Sequence, residues 1–267
     1  MSVGAVAVAD VDVDVDNRID AARIEEASLN ALQTQRQLFF DGWLLRMSPG
    51  KAKRGRSVNP HFGSSLPLAH KIAYCEERYA ASGLPAIFRI TPFCKPADLD
   101  AVLAQHGYVA FDNTLVQIAD PARRRPPLRS NADPEPVPVA EFVAAAAALR
   151  GSPPEQQAAH LERLAQSPLA LHAVVVRRDG RAVACGQVAC DGDIAAIYDM
   201  VTAAEWRGRG LASAIVDALL SQAHGRGARV AFLQVDDDNA PAIAVYRKFG
   251  FATLYTYHYR AREGECR

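Results

Sequence analysis

Cysteine is scarce and unpaired in this sequence: Cys75, Cys94, Cys185, Cys190 and Cys266 form an odd set without a close pair. That argues against a disulfide framework or a zinc site and fits reduced thiols in a cytoplasm. The seven histidines make no His-Glu-x-x-His or similar cluster, so no metal is expected. Formal net charge is +0, leaving no global field that would favour nucleic acid or an anionic membrane. No apolar run approaches the length of a membrane span. Residues Met1 to Asp10 lack the basic start and long apolar core of a secretion signal. What is plentiful is apolar side chain, 49% of 267 residues, enough for one large domain or two of ordinary size.

The most informative stretch runs from Ile197 to Arg229. Ile197 to Val201 is a short apolar run bounded by Thr202-Ala203-Ala204-Glu205, and reads as a buried strand. After the turn Arg207-Gly208-Arg209-Gly210, the apolar residues Leu211, Ala214, Ile215, Ala218 and Leu219 recur at helical spacing until Gly225 and Gly227. The glycine turn is thus expected at a helix N-terminus, where unpaired N–H groups and a partial positive charge suit a pyrophosphate. The turn lacks the Gly-Lys-Ser/Thr ending of a Walker loop, and it lacks the third glycine and later acidic residue of a dinucleotide fingerprint. A tight turn with solvated arginines is the alternative for the motif taken alone.

Along the chain, the Val-Asp alternation of Asp10 to Asp16 reads as a leader, because Asn17 and Arg23 stand where a calcium loop needs glycine and a bidentate acid. Asn17 to Arg36 reads as a helix, Phe39 to Met47 as a strand and Lys51 to Arg56 as a basic turn. Pro67 opens a helix closed by Gly83; Ala86 to Ile90 is a strand, Ala97 to Gln105 a helix and Tyr108 to Ile118 extended. Pro121 to Pro138, rich in Pro, Arg and Asp, reads as a linker. Two helices follow (Ala140 to Arg150, Pro154 to Gln166), then three strands with turns at Asp179-Gly180 and Asp191-Gly192. After the long helix come a strand, the loop Asp236 to Asn239, a helix from Pro241 to Phe249 and a last strand. Ala101-Val102 … Gly107-Tyr108 matches Ala244-Val245 … Gly250-Phe251 at one constant offset, which indicates an internal duplication. Leu103 stands where Tyr246 stands in the second copy.

Arg207-x-x-Gly210-x-Ala212, then Asn239-x-x-Ala242-x-x-x-Tyr246 with Phe249-Gly250-Phe251, resembles the acyl-CoA motifs of the GNAT superfamily of N-acyltransferases. The element order from Val137 to Arg260 matches along its length. Asp41-Gly42-Trp43-x-x-Arg46 with Ser57-Val58-Asn59-Pro60 resembles bacterial tandem members whose first domain is degenerate; here Arg56 stands where an Asn usually precedes the Ser-Val. The resemblance implies an α/β fold with a mixed sheet: two GNAT-like domains in tandem, a degenerate one over 1–120, a linker over 121–136, a catalytic one over 137–262 and a tail over 263–267.

The resemblance further implies acetyl-CoA as cosubstrate, held by Val201, Arg207, Gly208, Arg209, Gly210, Leu211, Ala212, Ser213, Asn239 and Tyr246. It implies direct transfer to an amine in a ternary complex, with Tyr246 by the sulfur. An ammonium has no lone pair, so a carboxylate must take its proton, and Asp199 and Glu205 are the candidates. Strand alternation puts Asp199 and Val201 on one face, Tyr198 and Met200 on the other. Tyr246 as a packed core aromatic and Glu205 as an ion-pair partner of an arginine remain alternatives. Trp43, Arg46, Arg54, Arg56 and Asn59 are candidates for shaping an acceptor pocket, or else a packed core and a solvated turn. The acceptor, a small molecule or a protein amine, stays open, as does oligomeric state; no nucleic acid or membrane partner is expected. A non-catalytic acyl-CoA-binding or sensing protein is the rival from another class.

Overall fold

The computed structural model of the protein describes residues 20–34, 36–48, 50, 52–123 and 132–266. The Val-Asp leader, Lys51, and Arg124 and Arg125 of the linker's arginine run lie outside the described residues. In chain order the elements are α1 (Ala21–Ala31), β1 (Gln37–Phe40), β2 (Trp43–Arg46), β3 (Val58–Pro60), α2 (Leu68–Ala81), β4 (Phe88–Ile90), α3 (Leu99–Gln105) and β5 (Tyr108–Ala119). The second half follows with β6 (Glu135–Val137), α4 (Val139–Arg150), α5 (Pro154–Ala165), β7 (Ala170–Arg178), β8 (Arg181–Asp191), β9 (Ile194–Thr202), α6 (Leu211–Gly225), β10 (Val230–Asp236), α7 (Ala240–Arg247) and β11 (Ala252–Arg262).

The strands join one mixed sheet in the order β1-β2-β3-β4-β11-β5-β10-β9-β8-β7-β6. Its two parallel contacts are β3 with β4 and β10 with β9; the other neighbours run antiparallel. β5, from the first half, lies between β10 and β11, and β11 in turn pairs with β4. Each half therefore ends in a strand that completes the other half's sheet. α1 covers one face at this seam, where Ile24 and Ala27 are buried with Val116, Ile118, Ala196 and Phe232. Beneath α1, the buried Arg89 and Glu25 form an ion pair that also takes the Tyr255 hydroxyl. α4 and α5 share that face over Cys185 and Val175. α6 packs on the opposite face against Val176, Ala184, Val188 and Ile197.

Three local readings change. Asp41 and Gly42 do not lie inside a strand; at φ 41° and 85° they form the turn of the β1–β2 hairpin. Positive φ at both central residues matches the right-handed twist of paired strands, which makes Asp-Gly a hairpin signal. Glu135-Pro136-Val137, inside the expected linker, adds an edge strand to β7, a place where proline's missing N–H costs nothing. The first helix ends at Ala31 rather than Arg36: the buried Arg46 guanidinium takes the Leu29 and Leu32 carbonyls and closes the last turn.

Candidate functional site

β9 and β10 are paired only as far as Ile197 and Leu233. Beyond that point they part, and the cause lies in β9. From Gln187 to Cys185 its neighbour β8 advances two residues, while β9 advances three, from Tyr198 to Val201. The extra residue is a β-bulge with Asp199 at φ 55°. The bulge changes the expected facing. Tyr198 and Asp199 both turn to the α4–α5 side, with Val201, and Met200 alone packs toward α6. Alternation fails because it assumes an unbroken pleat.

Where the strands part, a cavity of about 250 Å³ opens. Its walls include Asp199 and Met200 from β9, Gln234 and Asp236 from β10, and Asn239 and Tyr246 at α7. Arg150 enters from the end of α4, and Ala31, Leu32 and Arg54 from the first half. Asn239 caps α7 by accepting from the Ala242 N–H at 3.2 Å. Tyr246 is buried, lies 5.9 Å from the Phe251 ring, and burial raises its phenol above the usual tyrosine range.

Asp199 is the most constrained group in the cavity. Its carboxylate accepts from Arg150 Nη2 at 2.9 Å and from Gln187 Nε2 at 2.6 Å, and pairs with His160 Nε2 at 3.0 Å. Burial alone would raise its pKa, but the His160 hydrogen bond and the Arg150 charge outweigh it and hold the carboxyl well below its ordinary range. Asp236 moves the other way. Partial burial, then the neighbouring Asp112 and Asp238 carboxylates, raise it.

The glycine turn sits beside the parted strands, at the start of α6. Gly208 and Gly210 have φ 74° and 79°, and Gly210 caps the helix without a side-chain hydrogen bond. Leu211 is buried, fixing the helix on the sheet, and Ser213 is buried just inside the first turn, with Ala212 between them half-buried. Arg207 and Arg209 are exposed; Arg207 Nε donates to the Thr202 carbonyl at 3.4 Å, and Arg209 lies over the Trp206 ring at 4.6 Å.

Of the sequence candidates, Asp199, Asn239 and Tyr246 meet in the cavity, whereas Arg207 to Ser213 at the α6 N-terminus are not among its lining residues. Glu205 is exposed on the 3-10 turn Ala204–Trp206 and is not among the cavity-lining residues. Val201 also lies outside the lining; it packs with the Phe142 cluster. Among the first-half candidates, Arg54 lines the cavity. Trp43 is buried and donates to the Lys95 carbonyl; Asn59 is buried and donates to the Ser57 carbonyl. Arg56 is half-buried and is not among the cavity-lining residues. Sequence reasoning missed Arg150 and Asp236, which it placed only as a helix end and a loop start.

In outline the site is a mixed sheet whose parallel strands β9 and β10 part beside a glycine-turned helix N-terminus. Residues 141–251 match the acetyltransferase (GNAT) family model. The GNAT acetyltransferases are thus the family that this segment is similar to. It is 26% identical over 251 residues to the uncharacterized N-acetyltransferase YobR of Bacillus subtilis (strain 168), covering 91% of this chain and 99% of that protein. Its fold is similar to a GCN5-related N-acetyltransferase from Kribbella flavida, with TM-score 0.71 and 22% identity over 91% of this chain and 96% of that one. A tandem GNAT protein from the clavulanic acid biosynthesis pathway also shares the fold, with TM-score 0.57 and 15% identity over 76% and 74% of the two chains.

Proposed function

We propose that this protein moves an acetyl group from acetyl-CoA to a primary amine by direct attack in a ternary complex. The observation that carries the reading is the parting of β9 and β10 beyond Ile197 and Leu233, beside the uncapped start of α6 and with Tyr246 in the wall. Splayed strand edges offer backbone groups near Val201 to the pantetheine amides. The first N–H groups of α6, from Leu211 to Ser213, and the guanidinium groups of Arg207 and Arg209 suit the pyrophosphate. Gly208 and Gly210 let it come close.

In the transfer, the amine nitrogen's lone pair forms the N–C bond to the thioester carbonyl. The C–S bond then breaks with its electron pair going to sulfur. One proton leaves the nitrogen and one reaches the thiolate, so the products are an amide and free CoA thiol. Tyr246, kept protonated by its raised pKa, is the donor to sulfur. Asp199, held ionised by its three partners, is a weak proton acceptor; its charge steadies the nitrogen as it turns cationic. Asp236, in the same wall and raised, is better matched to accept the proton. Glu205, outside the cavity, has no part in this scheme.

The first half is assigned no second cosubstrate site. Asp41 accepts from the N–H groups of Ser65 and Leu66 at 3.0 and 2.9 Å, so a carboxylate of the chain itself fills the turn before α2. Leu103, fully buried, takes the place of Tyr246.

Calorimetric titration of acetyl-CoA, with a thiol-release assay across amines, tests the assignment. One site per chain is expected, lost in Gly210→Asp, where a carboxylate would face the pyrophosphate, and retained in Gly63→Asp. Equal affinity in Gly210→Asp would move the site elsewhere. Thiol release that is absent with every amine, together with binding indifferent to Tyr246→Phe, would leave a sensing protein.

A further inference from the structure

The cavity is lined by a cation without a carboxylate partner among the described residues. Arg54 reaches it from the 3-10 turn Lys53–Gly55 of the first half. Its one side-chain contact is neutral, the Ser28 hydroxyl at 3.4 Å, and among the described residues no carboxylate pairs with it. The adjoining cations are differently placed: Lys53 pairs with Asp112 at 2.5 Å, and Arg150 is bound to Asp199. Tyr198 lines the same cavity, and its buried hydroxyl has no hydrogen-bond partner among the described residues. A buried hydroxyl left unsatisfied costs about 1–3 kcal/mol, which a ligand oxygen accepting from it would offset. Asp236 and Tyr246 line the same cavity. The cavity thus offers donors for an anion and, in Asp236, an acceptor for an amine proton.

Resting on the acetyltransferase reading, we propose that the acceptor is an amine bearing a carboxylate, with Arg54 and the Tyr198 hydroxyl receiving the carboxylate while its amino group faces the thioester. Two features follow from the chemistry. A guanidinium and a hydroxyl supply several N–H and O–H donors, which suits the two oxygens of one carboxylate. A polyamine would instead bring a second positive charge against Arg54 and Arg150, and like charges in a partly closed cavity repel. Plain alternation after Ile197 puts Tyr198 on this side, and the packing of the first half is what brings Arg54 there. The two halves of the chain together build the acceptor pocket.

The test uses the full chain with the standard amino acids, each beside its α-carboxamide, and with spermidine as a cationic control, thiol release being read at saturating acetyl-CoA. At least one amino acid is expected to turn over, with kcat/KM about 10–100-fold above that of its carboxamide. Arg54→Gln should collapse that acid-to-amide ratio toward one, mainly through KM, and Arg54→Lys should restore part of it. Tyr198→Phe should lower the ratio by a smaller factor. Equal or faster turnover of carboxamides or spermidine, or a ratio indifferent to Arg54→Gln, would overturn the proposal. Calorimetry keeps the two layers apart. If acetyl-CoA fails to bind, the acetyltransferase reading falls. If acetyl-CoA binds but no N-acetyl amino acid binds the CoA-loaded protein more tightly than its N-acetyl carboxamide, the carboxylate site falls by itself.

Discussion

Asp199 shows how one side chain can be placed correctly by sequence and still have its chemistry set by distant parts of the chain. Its partners come from α4, α5 and β8, and they determine that it stays charged. Its folded-state pKa is depressed, so its stabilisation is complete above the unfolded carboxyl's pKa of about 3.9 and is lost as pH falls through that value toward the folded one. Asp199→Asn should therefore melt below wild type at pH 7, and the gap should narrow between about pH 5 and pH 3. Thermal melts across that range check it; a constant gap would mean the carboxylate does not stay ionised. Tyr246→Phe should leave acetyl-CoA affinity within about twofold and lower kcat by about 10–100-fold, as loss of a proton donor does. The motif-borne residues were legible because they lie on one local segment, from Gly208 to Tyr246. Arg54, Tyr198 and Arg150 as a group were not, because they come from the 3-10 turn, β9 and α4, far apart in sequence, and meet only in the folded cavity.

At the level of elements, the site depends on how closely α6 lies on the sheet beside the bulge. Gly186 of β8 faces that bulge, and a β-carbon on it would sit 2.4 Å from Met200 Sδ and 2.7 Å from Ile215 Cγ2. The glycine lets helix and bulged strand approach together. Gly186→Ala should cost about 1–3 kcal/mol of stability, the usual effect of overpacking, and should weaken acetyl-CoA binding by tilting the N-terminus of α6. Urea unfolding with a parallel calorimetric titration reads both; a stable variant with unchanged binding would show that Met200 and Ile215 repack freely. Helices were readable from their 3.6-residue pattern, α2, α3 and α6 to within two residues at most ends. Short strands such as β3 and β6, three residues each, carry no pattern long enough to read and exist through their neighbours.

For the whole molecule, a division into two separable domains meets the exchange of β5 and β11. The repeat expected from sequence has a local counterpart, since α3-Gly107-β5 and α7-Gly250-β11 both run helix, positive-φ glycine, strand. Which neighbours the two terminal strands choose was not legible, because pairing partners far apart in sequence leave no local trace. A chain cut to residues 132–266 would leave one edge of β10 and both edges of β11 unpaired, and would uncover Tyr255, Tyr257 and Tyr259, which α1 and Arg89 now cover. Open apolar edges of that kind invite pairing with another chain. The excised segment is therefore expected to aggregate or to elute as a broad oligomer and to bind no acetyl-CoA, whereas co-expression with residues 20–123 should recover a one-to-one complex that does. Size-exclusion chromatography and circular dichroism of both preparations decide it. A monomeric 132–266 segment that melts cooperatively within a few degrees of the full chain would mean that β5 adds little to the sheet it completes. Failure of the excised segment with rescue by its complement would make the first half a structural part of the catalytic one, supplying a strand to its sheet and Arg54 to its cavity.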